Sequence, residues 1–188
     1  MDVTKNSAFW QEWDQVLQWY ARPGVSDACI QLQDFCGVDV VVMLHAVYLF
    51  KVHQVALDAQ QLASAEALVG EWRREVTAPL RALRTIAKTG FVGIPADMRE
   101  QAREKIKAAE LAAELGAFAA LCVVSPKLDI CSGSEQDGKE LLQRVLQLYA
   151  VSGLPEARHK ASIQKATKLL RGSGHAPLQS GSRSPSRQ

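Results

Sequence analysis

The longest strongly apolar run in the chain, Val38 to Phe50, constrains the fold more than any other segment. As a helix, Val40–Val52 leaves only a thin polar edge of His45, Tyr48 and Lys51. A helix apolar on nearly every side must be surrounded by other elements. The β-branched valines would also suit a strand, but the sequence offers no second strand for it to pair with. The run is too short to span a bilayer, and Asp39 and His45 interrupt it. The expected class is therefore all-α: an irregular bundle of about six or seven helices around this central apolar helix.

The remaining helices are read around that centre. Asn6 or Ser7 can cap a first helix to about Ala21, with Phe9, Trp13, Val16, Leu17 and Tyr20 on one stripe. Trp19 lies off that stripe, which places it at a second interface or leaves it partly exposed. Pro23-Gly24 ends the helix, and Ser26 can cap a short one to Cys36. Gly37 breaks it, and Asp39 can cap the central helix. Ala63–Lys88 reads as one helix bent at Pro79, which cannot donate to the carbonyl of Glu75. Pro95 precedes a long helix, Ala96–Val124, whose first half has a narrow apolar line of Met98, Ala102, Ile106 and Ala109. Its second half, from Leu111, is almost entirely apolar and is expected to be deeply packed. After a loop at 127–138, helices are expected over about 135–151 and 155–170. These elements form one domain, 1–171. Residues 172–188 are Gly, Ser, Pro, Arg and Gln with little else, the composition of a disordered tail.

Charge excludes several function classes. Residues 1–70 carry 3 basic and 8 acidic side chains, and residues 71–110 carry 9 and 6. The overall net charge is only +2, far from the basic excess of a nucleic-acid-binding domain. No apolar signal core follows Met1, so the expected location is the cytoplasm. The four cysteines, Cys29, Cys36, Cys122 and Cys131, are then reduced and match no zinc spacing. No metal or cofactor is expected.

The strings Tyr20-Ala21-Arg22-Pro23-Gly24-Val25, Leu32-Gln33-Asp34 and Gly37-Val38-Asp39-Val40 resemble a family of bacterial conserved hypothetical proteins, a domain of unknown function. The likeness continues at Trp72, Pro79-Leu80-Arg81, Arg84 and Lys88, and so covers roughly residues 8–125. The resemblance implies a helical bacterial cytoplasmic protein. It brings no activity, substrate or cofactor.

Two constellations stand out as candidate binding residues. Arg74, Arg81, Arg84 and Lys88 fall within about 80° on one helix face, opposite Leu68, Trp72, Val76, Leu80, Leu83 and Ile86. The wheel thus directs the basic stripe to solvent, where guanidinium groups would suit a carboxylate or phosphate. The competing readings are a solvated face and pairing with the acidic N-terminal half. Asp34 and Asp39 flank a helix junction, where capping and solvation compete with acid–base or cation chemistry. His45 reads as a satisfied core histidine. No catalytic residue is expected.

The leading functional expectation is a non-enzymatic interaction or adaptor protein with a basic helix face, its partner an unidentified protein or anionic ligand. The alternative is a small-molecule binder or enzyme acting on an anionic ligand within the bundle. A cleft lined by Arg81, Arg84 and Asp39 would favour the alternative, whereas outward-facing polar groups favour the adaptor. The sequence leaves the oligomeric state open.

Overall fold

The computed structural model describes residues 8–125, 135–149, 164–165 and 168. Seven α-helices and one π turn make up the regular structure of the described residues: α1 (Ala8–Tyr20), α2 (Val25–Cys36), α3 (Val40–His53), α4 (Ala59–Trp72), the π turn (Arg73–Thr77), α5 (Ala78–Ile86), α6 (Ala96–Val124) and α7 (Glu135–Tyr149). The all-α expectation holds. The expected caps at Asn6 and Ser7, the helix over 155–170 and the tail at 172–188 lie wholly or almost wholly outside the described residues.

α3 is the central helix. Every residue from Val41 to Leu49 is buried, as its all-round apolar surface requires. The Asp39 carboxylate caps it, accepting from the backbone N–H of Val41 at 2.7 Å and of Val42 at 3.1 Å. Just before it, Gly37 adopts φ 68°, a left-handed conformation that glycine takes without strain, and ends α2. Around α3 pack Trp13, Val16 and Trp19 of α1, Leu32 of α2, Leu62 and Val69 of α4, Phe118 and Leu121 of α6, and Leu141 and Val145 of α7. Trp19 is therefore at a second buried interface.

Two helix starts differ from the sequence reading. α2 begins at Val25, because Gly24 at φ 80° turns the chain tightly enough for helix to start there, and Ser26 falls inside it. α4 begins at Ala59, because Asp58 and Gln61 form a reciprocal capping box.

The segment from α4 to α5 is nearly continuous helix, and Pro79 lies just after a π turn within it. There the Ala78 N–H reaches back five residues to the Arg73 carbonyl. α5 and the first half of α6 then form an antiparallel hairpin whose residues from 78 to 109 are all exposed or half-buried. This hairpin is an arm extending from the body. The second half of α6 is less deeply packed than its composition suggests. Ala113, Ala117, Phe118 and Leu121 are buried, but Leu111 and Val123 are exposed, because α6 has the body on one side only.

Candidate functional site

The stripe of α5 faces opposite to the direction its helical wheel suggests. Arg81 and Arg84 turn inward, with side chains 30% and 25% exposed. Arg81 donates from Nε to Glu110 Oε1 at 2.9 Å and from Nη2 to Glu114 Oε1 at 2.7 Å, while its Nη1 donates to Gln33 of α2. Arg84 donates from Nε to the other oxygen of Glu110. The physical reason lies on α6. Glu110 is itself buried, and a buried carboxylate must be paired. Two arginines one turn apart satisfy it, so the polar face of α5 is the one that packs.

Electrostatics follow that arrangement. Burial pushes the Glu110 carboxyl up, but hydrogen bonds from Arg84 and Arg81 and their charges outweigh it, and the net displacement is downward. Glu114 goes the other way. Burial dominates, the Arg81 charge offsets only part of it, and its carboxyl is held above the usual range.

A second charge cluster joins the body. Arg73, the first residue of the π turn, donates from Nη1 to Asp39 Oδ2 at 2.9 Å and to Glu66 Oε2 at 2.8 Å. Tyr149 of α7 donates its hydroxyl to Glu66. Asp39 thus caps α3 with one oxygen and receives Arg73 with the other. Asp34 is exposed on α2, and the two aspartates do not converge. Arg74 is exposed and, among the described residues, pairs with its neighbour Glu75 at 3.2 Å. Lys88 is exposed at the far end of the arm. The four stripe residues do not line a common cleft, and no group of three or more His, Cys, Asp or Glu suited to a metal occurs among the described residues.

With the arginines turned in, the apolar side of the arm is turned out. Leu83, Ile86, Ile94 and Met98 are 52%, 52%, 52% and 55% exposed, and Trp72, Phe91 and Val92 join them. At 100° per residue, Leu83 and Ile86 lie on the side of α5 opposite Arg81 and Arg84, and Met98, Ala102, Ile106 and Ala109 share one side of α6. The Leu83 side of α5 lies away from α2. Trp72 closes its inner end, donating from Nε1 to the Ala113 carbonyl at 3.0 Å. The result is an apolar outer face roughly 20 Å long, at 1.5 Å of rise per residue.

Sequence reasoning named Arg81, Arg84 and Asp39 but missed their partners Arg73, Glu66, Glu110, Glu114 and Tyr149. One signal was present for two of them. Glu110 and Glu114 are the acids that intrude where α6 turns apolar, and an acid there needs a cation from a neighbouring helix. For Arg73, whose partners lie 34 and 7 residues away, no local signal existed.

No helix among the described residues is long and apolar enough to cross a membrane. No curated protein and no solved structure matches the chain. A family model described as "Protein of unknown function (DUF2390)" matches residues 11–121, a stretch that runs from within α1 to the buried end of α6 and so includes the arm and every residue of the two charge clusters except Tyr149. The chain belongs to the DUF2390 family.

Proposed function

We propose that this chain is a non-enzymatic interaction protein that docks a partner on the outer face of the α5–α6 arm. The carrying observation is the cluster of large apolar side chains, Leu83, Ile86, Ile94 and Met98, left half-exposed together. Contiguous exposed apolar surface on a folded protein costs solubility and typically marks an interaction site. Among the described residues no third helix covers the two-helix arm, and the fitting partner is one that lays an amphipathic helix along its exposed apolar face. Arg81 and Arg84 act as positioning residues. They hold α5 against Glu110 and so fix which face looks outward. Arg74, Lys88 and Asp34 serve as solvated charges. An anionic ligand is the weaker reading, because carboxylates of the chain already occupy the two inward arginines.

The test replaces Leu83 and Ile86 together with lysine. Stability is expected to change by less than about 0.5 kcal/mol, as for other exposed positions. Recovery of the partner by a photoreactive side chain placed at position 90 is expected to be lost. A double variant that still captures the same partner at the same yield refutes the docking face. If the captured partner proves to be a second copy of the chain, the arm is a dimerisation element.

A further inference from the structure

A separate cavity of about 410 Å³ is lined by residues of α1, α3 and α6 together with Val55 and Ser125. It falls within the size range of small-molecule sites. Leu49 and Val55 give it an apolar wall, and six polar groups converge on it: Glu12, His45, Tyr48, His53, Cys122 and Ser125.

The protons of these groups can be counted. Ser125 has one hydroxyl proton and two neighbours, the Leu121 carbonyl at 2.7 Å and His45 Nε2 at 2.7 Å. If the proton goes to the histidine, His45 Nδ1 carries a buried N–H with no partner, which is rare. If it goes to Leu121, Nε2 carries the imidazole proton and Nδ1 is a bare acceptor. Nδ1 has no hydrogen-bond partner among the described residues, so the second arrangement is the less costly. Burial also lowers the His45 pKa to about 4 and keeps the ring neutral near pH 7. The Cys122 thiol, pushed up by burial and by its hydrogen bond with Glu12, stays protonated and donates to that carboxylate. The Tyr48 hydroxyl and His53 Nε2 satisfy each other at 3.2 Å.

What remains facing the cavity is one carboxylate, Glu12, that meets no cation among the described residues. We propose that this cavity binds a small organic amine, its ammonium group on Glu12 and its hydrocarbon body against Leu49 and Val55. A carboxylate or phosphate ligand would instead meet Glu12 as a like charge. The proposal is independent of the outer face of the arm.

Hexylamine, hexanol and hexanoate serve as probes of matched length, titrated into the full chain and followed by ligand-observed NMR. Hexylamine is expected to saturate below about 10 mM and to bind at least about tenfold more tightly than hexanol, with hexanoate weaker still. Glu12→Gln is expected to remove the preference for the amine. In the Leu83→Lys/Ile86→Lys chain the preference is expected to persist. Equal binding of amine and alcohol to the unaltered chain overturns the proposal whatever the variants do, as does failure of hexylamine to saturate. An unchanged amine preference in Glu12→Gln overturns the assignment of the ammonium site.

Discussion

Glu110 decides which way α5 faces, and its energetics are those of a buried ion held by two partners. Changing it to glutamine removes the charge that Arg81 and Arg84 share and leaves two half-buried guanidiniums poorly paired. The expected cost is about 1–3 kcal/mol by urea unfolding, below the 3–5 typical of fully buried pairs because the arginines are partly solvated. Arg74→Gln, by contrast, is expected to cost under about 0.5 kcal/mol, since its pair with Glu75 is exposed. Equal losses for the two variants would remove the distinction between an inward and an outward arginine. His45 gives a pH signature. Its folded pKa is lowered from 6.5 to about 4 by burial, so between those values the unfolded chain binds the extra proton. Stability is therefore full above about pH 6.5 and falls as pH drops toward 4, by up to about 3 kcal/mol at 1.36 kcal/mol per pKa unit. The depressed Glu110 pKa adds a further loss below the ordinary glutamate range. Unfolding free energies measured across that window should lose most of their slope in His45→Gln; an unchanged slope would mean that the buried imidazole is not its source. Of these residues, the Asp39 cap was legible in the sequence, because capping is a local interaction. The Glu110 pairing was not, because it joins residues 26 and 29 apart in the chain, on two different helices.

At the scale of elements, α3 and α5 show where periodicity informs and where it misleads. For α3 no orientation had to be chosen: a helix apolar on all sides is buried whichever way it turns. Leu44 is accordingly buried, and Leu44→Ala is expected to cost about 2–5 kcal/mol in chemical denaturation. A loss of under about 0.5 kcal/mol would show that the helix is peripheral. For α5 the wheel separates a basic face from an apolar face, but the usual step of burying the apolar one fails. The partner helix supplies the buried carboxylate of Glu110 and the half-buried one of Glu114 on the side facing α5, and satisfying them takes precedence over burying Leu83 and Ile86. The π turn at Arg73–Thr77 is a further element that periodicity does not show. Its wider ring leaves the Arg73 side chain on the body with Asp39 and Glu66 while α5 continues with Arg81 and Arg84 on Glu110. The sequence reading placed the break at Pro79, within two residues of the turn, because the missing N–H of proline was the visible cause.

For the whole molecule, a core built around α3 supports an arm that contributes little to that core. The body of the bundle was legible because its helices pack apolar stripes inward. The arm's outer face was not, since exposed apolar residues read in sequence as core. The central claim is that this face is covered in the cell. Met98 lies on it and is half-exposed, whereas Met43 is fully buried, so thioether oxidation reports directly on cover. The decisive measurement is the rate of Met98 sulfoxide formation under a peroxide pulse in intact cells, comparing the unaltered chain with the Leu83→Lys/Ile86→Lys variant. Met98 of the unaltered chain is expected to oxidise several-fold more slowly, because its partner, another protein or a second copy, shields it. Equal rates in the two chains would contradict a docked outer face.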